Sequence, residues 1–89
     1  MVYRIAVIKE AKFVTMKNTD VTGLYLSLFT VDDEGLGKVG HDLIPDWRVF
    51  DVLDGNLREP FEDNCKELAG KPCLVRVETG NTTTFEKFL

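Results

Sequence analysis

The run Glu67-Leu68-Ala69-Gly70-Lys71-Pro72 constrains this chain more than any other. It lies between an amphipathic stretch of helical period and the apolar run Cys73-Leu74-Val75-Arg76-Val77. Gly70 can take the left-handed backbone that ends a helix, and Pro72 prevents the helix from resuming. A helix is therefore delivered tightly into a late strand. Three strand-like runs precede that pair and one follows it, so the predicted element order is β-β-β-α-β-β.

Tyr3 to Ile8 reads as the first strand, with Tyr3, Ile5 and Val7 on one side and Arg4, Ala6 and Ile8 on the other. Lys9-Glu10 interrupts it and Ala11 to Met16 resumes the extended pattern, as a strand bent around a barrel would. A polar loop, Lys17 to Gly23, follows. Leu24, Leu26 and Leu28 alternate with Tyr25, Ser27 and Phe29, which gives the second strand an aliphatic face and a mixed aromatic face. Asp32 to Gly37 forms a hairpin loop, and the third strand runs from Lys38 to Ile44 until Pro45 stops it. Asp46 suits the cap of a short helical turn through Leu53, while Val49, Phe50 and Val52 equally favour a strand over 48–52. Asn56 and Glu59 have capping-box spacing, with Pro60 in the first turn of a helix running to about Ala69. Its apolar stripe is Leu57, Phe61, Cys65 and Leu68. A last hairpin pairs Cys73–Val77 with Phe85–Phe88 across residues 78–83.

This order predicts one mainly β domain over residues 1–89, with one α-helix: a small five-stranded barrel of the OB-fold type. A chain of 89 residues, 44% apolar, can build one modest core and no second module. No apolar run approaches the ~20 residues of a membrane helix. The start, Met1-Val2-Tyr3-Arg4-Ile5, lacks the features of a signal peptide. The expectation is a cytoplasmic protein, in a cell or made by a virus inside one. Cys65 and Cys73 are too few for a disulfide framework and read as buried free thiols.

The net charge of −4 is uneven: residues 32–67 hold eleven acids against four bases, and the flanks hold seven bases against four acids. An acidic middle argues against a protein that grips duplex phosphates over its whole surface. It leaves room for a basic stripe on the terminal strands.

OB-folds bind across their second and third strands, flanked by the loops after strand one and between strands four and five. Those loops are Lys17–Thr22 and Glu78–Thr83 here, both rich in hydroxyl and amide groups. Binding a single strand without regard to sequence needs aromatic faces for bases and cations for phosphates. Tyr25 and Phe29 share the face opposite the leucines and are the stacking candidates. Lys12, Lys17, Lys38 and Arg76 are the candidate cations. Trp47 is the single tryptophan, placed either as a plug in the barrel end or, if exposed, as an interaction hot spot.

His41-Asp42 only superficially suggests a catalytic pair, since strand neighbours point to opposite faces. No nucleophile has a recognisable context, and no acids are spaced to collect on a metal. Asp32-Asp33-Glu34-Gly35 is not an EF-hand loop. Gly35-Leu36-Gly37-Lys38 lacks the strand-to-helix setting of a phosphate loop. The expectation is a protein that is not an enzyme and carries neither metal nor cofactor.

The segment Leu68 to Val77, with Asn81 and the ending Phe85-Glu86-Lys87-Phe88-Leu89, resembles a group of small phage-encoded OB-fold proteins of unknown function, whose expected role is single-stranded DNA binding. Thr22-Gly23-Leu24-Tyr25-Leu26-Ser27-Leu28 is similar to their second strand. This chain is shorter and lacks their Gly- and Arg/Lys-rich second hairpin, of which Gly37-Lys38 remains. The resemblance implies a phage replication protein with weak, sequence-tolerant affinity for single-stranded DNA. The alternative is an acidic interaction module, such as a viral factor that binds a host or replication protein. In that reading Trp47, Asp46, Asp51, Asp54, Glu59, Glu62 and Asp63 would meet a basic partner surface. Pairing of exposed strand edges in a homo-oligomer is a third possibility.

Overall fold

One surplus residue in the first strand organises the sheet. The computed structural model describes residues 1–17, 20, 22–53, 55–80 and 82–89. In β1 (Val2–Thr15), Ile8 stands opposite Leu28 of β2 (Thr22–Val31), while Glu10 stands opposite Ser27. Lys9 is thus the extra residue of a β-bulge, and the inward phase changes there. Ala6 and Ile8 point inward before it, and Ala11 and Phe13 after it. An unbroken period of two would have turned Glu10 and Lys12 into the core.

β2 also pairs with β3 (Gly37–Pro45), and the first half of β1 pairs with β4 (Pro72–Glu78). β4 pairs in turn with β5 (Thr82–Phe88). All these pairs are antiparallel, and the sheet order is β3-β2-β1-β4-β5. The sheet curls until its two edge strands adjoin, giving an OB-fold-like half-barrel. Where they meet, Gly40 of β3 faces Thr83 of β5, and a β-carbon on Gly40 would stand 2.7 Å from the Thr83 Cβ. Only glycine lets the strands approach this closely.

Leu24, Leu26 and Leu28 fill the concave side together with Ile8, Val75 and Cys73, all of them fully buried. The helical segments close that side. Val49 and Leu53 of α1 (Asp46–Leu53) enter the core at a spacing of four. Residues 48–52 are therefore helical, and the strand alternative is excluded. Trp47 and Phe50, on the other side of α1, remain exposed.

The second helical segment is shorter than its apolar stripe predicts. α2 spans Phe61–Asn64 and passes directly into a 3₁₀ turn at Cys65–Leu68. A helix capped by Asn56 would need the backbone N–H of residue 60, and Pro60 has none. Pro60 is instead the extended residue before the helix. Asn64 builds the preceding turn by donating from its side-chain amide to the carbonyls of Arg58 and Pro60, at 3.2 and 3.1 Å. Phe61, Cys65 and Leu68 still pack on the core, as does Leu57 from the turn.

Gly70 adopts φ +89° just after the 3₁₀ turn. Its N–H donates to the Ile8 carbonyl at 2.7 Å, and the Ile8 N–H donates to the Lys71 carbonyl at 3.0 Å. Gly70 and Lys71 therefore dock on β1 beside the bulge. The final hairpin is longer than expected, because Thr82, Thr83 and Thr84 belong to β5. Among the described residues, no helix is long and apolar enough to cross a membrane.

Candidate nucleic-acid interface

The outer, convex side of β1, β2 and β3 carries what the sequence singles out as a binding face. Because the three leucines of β2 point inward, Tyr25, Ser27 and Phe29 point outward. Their β3 partners are Leu43, His41 and Val39. Beyond the bulge, Lys12 of β1 stands opposite Tyr25.

These side chains form two stacking positions. At the first, the Tyr25 and His41 rings stack at a centroid distance of 5.4 Å with planes 22° apart. The Tyr25 hydroxyl also hydrogen-bonds His41 Nδ1, which fixes both rings. Lys12 Nζ lies 5.5 Å from the Tyr25 ring centroid, within reach of a cation–π contact. It is also ion-paired to Glu10 at 3.4 Å, with both side chains more than half exposed. Such an exposed pair contributes little and yields readily to a competing anion.

The second position is Phe29, which is 37% exposed and not part of the core. Its ring lies over Gly37 of β3, where a β-carbon would stand 2.7 Å from Phe29 Cζ. The absence of a side chain at Gly37 leaves room for the end of the ring. Tyr25 and Phe29 are four residues apart on one strand, a separation of roughly 13 Å. His41 is the member of this face that sequence reasoning overlooked. The signal was available in its position opposite Ser27 on a strand of period two, but it required the β2–β3 register.

The four candidate cations do not gather in one place. Lys12 belongs to the Tyr25 site, and Lys17 is exposed in the loop leading away from β1. Lys38 has the opposite phase on β3, facing Thr30, and lies 3.9 Å from Asp32 Oδ2. Arg76 is on the far side of β1, on β4, between Glu78 at 3.1 Å and Glu86 at 3.5 Å. Its Nε, shut off from solvent, is the atom 3.1 Å from Glu78 Oε1, a contact of ion-pair distance without hydrogen-bond geometry.

The flanking loops also differ from expectation. Thr83 is buried against Gly40, and Thr22 Oγ1 is 3.1 Å from Thr15 Oγ1. Asn81, Asn18 and Thr19 lie outside the described residues.

The acidic set of the alternative reading belongs to the helical layer. Asp46, Asp51, Glu59, Glu62 and Asp63 are all exposed, and the core lies between that layer and the convex face. Asp54 falls outside the described residues. Trp47 is 69% exposed and plugs nothing. Phe50, three residues on and 57% exposed, shares its helix face, with its ring 6.3 Å from that of Phe61.

His41 and Asp42 point to opposite faces, as alternation requires. Asp42 is half-buried at the β3–β5 seam, and desolvation raises its pKa despite hydrogen bonds from the Phe85 and Leu43 backbones. Cys65 and Cys73 are both buried and free, and burial pushes the Cys73 thiol up to about 11. Among the described residues, no group of three or more His, Cys, Asp or Glu side chains could hold a metal ion. Comparison with protein-family models, characterised proteins and solved structures finds no match.

Proposed function

We propose that this protein is a non-catalytic module that binds single-stranded DNA across the convex face of β2 and β3, weakly and without strong sequence preference. One observation carries the reading. Tyr25, beside the Lys12 ammonium and the His41 ring, shares an outward strand face with Phe29, the end of whose ring lies over Gly37. Two rings held by backbone register offer bases a platform that need not order on binding, and each stacked base is worth ~1–3 kcal/mol. Lys12 can leave Glu10 for a phosphate at small cost, with Lys17 as the next cation along the chain. Placing the helical acids behind the core reconciles a pI of about 4.9 with a polyanionic ligand. The fold-level expectation for OB barrels points the same way, by analogy only.

The deciding measurement is fluorescence anisotropy of a short labelled oligo-dT at increasing salt. Binding that weakens as salt rises is expected, and Tyr25→Ala and Phe29→Ala should each cost about 5- to 100-fold in affinity. Their thermal melts should remain close to that of the parent. Absence of binding at low salt overturns the proposal.

A second reading rests on a different observation, the exposed Trp47 and Phe50 beside Asp46 and Asp51 on α1. Aromatic side chains ringed by acids suit a basic protein surface. In that case an Arg/Lys-rich amphipathic peptide should shift Trp47 emission in a salt-dependent manner, while oligo-dT leaves it unchanged.

A further inference from the structure

The bulge at Lys9 divides the convex face into two chemically different halves. The half beyond it carries Glu10, Lys12, Tyr25, Ser27 and His41. The half before it carries Tyr3, Ile5 and Val7 of β1, Phe29 and Val31 of β2, and Val39 of β3, which are 37–57% exposed. Pro72 and Leu74 of β4 continue this surface beside Val7 and Ile5. From the Ile5 row up to the bulge, the outward positions of β1, β2 and β3 hold no charged side chain, and Lys87 of β5 stands opposite Leu74 at the edge of the patch. At its margins Arg4 is paired with Asp33 at 3.0 Å and Arg76 with Glu78 and Glu86, while Lys9 in the bulge and Lys87 on β5 are exposed.

We infer that this apolar half is a homodimer interface, packed against the same patch of a second copy about a two-fold axis. Area is the first argument. Six large side chains at these exposures leave on the order of 500 Å² open, the upper end of what a monomer of ordinary kind exposes. With its polar rim the patch approaches the ~800 Å² per partner of a standard interface.

Self-complementarity is the second argument. The uncharged centre of the patch gives neither a basic nor an acidic partner a charge to meet, but it does suit its own image. It also has relief of both signs. Ladder pairing between β1 and β2 stops at Ala6 and Thr30, and a groove of about 360 Å³ opens there between Tyr3, Ile5 and Val7 on one side and Phe29 and Val31 on the other. Next to Gly37, the β3 partner of the groove residue Val31, Leu36 is 58% exposed on the β2–β3 turn. That turn is rigid: Asp32 Oδ1 accepts the N–H groups of Glu34 and Leu36, both at 2.9 Å, and the Asp32 N–H donates to the Leu36 carbonyl at 2.9 Å. A two-fold that seats Leu36 of each copy in the groove of the other satisfies both at once.

The inference does not rest on DNA binding. Both would cover Phe29, however, so a dimer and a strand stacked on that ring exclude each other, and salt separates the two. Apolar association between copies of net charge −4 should hold or strengthen as salt rises, whereas phosphate binding weakens. Sedimentation equilibrium of the full chain, from micromolar to near-millimolar concentration, should show the mass climbing from 10.1 kDa toward twice that value. Ile5→Glu and Leu36→Glu should each weaken association at least tenfold while the thermal melt stays cooperative; Leu36, on a surface turn, guards against loss of fold at Ile5. A mass fixed at the monomer value, or a dimer that survives both substitutions in folded protein, overturns the inference.

Discussion

Asp42 Oδ2 accepts the backbone N–H of Phe85 at 2.8 Å across the seam between β3 and β5. Its other oxygen accepts the Leu43 N–H at 2.9 Å. A side chain thereby does at the seam what a ladder bond does elsewhere in the sheet. Asp42→Ala leaves the Phe85 N–H without its partner and should cost about 1–3 kcal/mol in urea unfolding.

The same carboxylate gives stability a pH dependence. Desolvation raises its folded pKa above the ordinary 3.8, so the native state holds this proton more tightly than the unfolded chain does. Stability from this group is greatest below 3.8 and falls as pH rises through the raised value. Asp42→Asn keeps an acceptor for Phe85 and has no proton to lose. Its unfolding midpoint should therefore lack that decline, and at neutral pH should match or exceed the parent's. A parent midpoint that instead rises with pH across this window excludes the assignment, once other groups are subtracted through the variant.

The strand phases were legible in the sequence because one face of each strand is buried, and burial imposes a period of two. Leu24, Leu26 and Leu28 read inward for that reason, and the break at Lys9-Glu10 read as a bend. The helical region was less legible. The Asn56–Glu59 spacing imitates a cap, but Asn64 organises that turn from downstream through contacts that no local pattern encodes. Val49 and Leu53 reveal a helix only once a core exists for them to enter. At the candidate site, Tyr25 and Phe29 were visible by alternation. His41 and Gly37 required cross-strand register, which the sequence of β3 alone does not carry.

Gly37 tests the role of Phe29 without touching the ring. A β-carbon there intrudes on Phe29 Cζ at 2.7 Å, so Gly37→Ala must lift or rotate the ring. Gly37 is exposed at the turn end of β3, and the fold should survive, with at most about 1 kcal/mol lost. Oligo-dT affinity should fall as far as it does in Phe29→Ala, and the double variant should add little to either single one. Strict additivity would show that Phe29 does not act through its position on this glycine.

Cys73 reports on the core. Its thiol is fully buried and pushed up to about 11, so almost none of it is thiolate at neutral pH. Alkylation of the native protein should be slow, and should accelerate sharply across the urea transition as Cys73 and Cys65 emerge together. Rapid labelling of Cys73 well before that transition would mean that the β4 side of the core opens locally.

Lys12 and Arg76 separate the phosphate contribution from the structural one. Lys12 lies over Tyr25, is held only by an exposed pair with Glu10, and is free to meet a phosphate. Lys12→Ala should weaken oligo-dT binding and reduce the slope of log affinity against log salt by ~0.7, the share of one phosphate on a single strand. Arg76 faces Glu78 and Glu86 on the other side of β1, with its Nε shut away from solvent. Arg76→Ala should leave both affinity and slope unchanged and act on stability alone, where it uncovers two acids and removes packed methylenes. If Arg76→Ala instead changed the slope and Lys12→Ala did not, the strand would have to run over β4 and β5, and the platform built by Tyr25, His41 and Phe29 would not be the binding site.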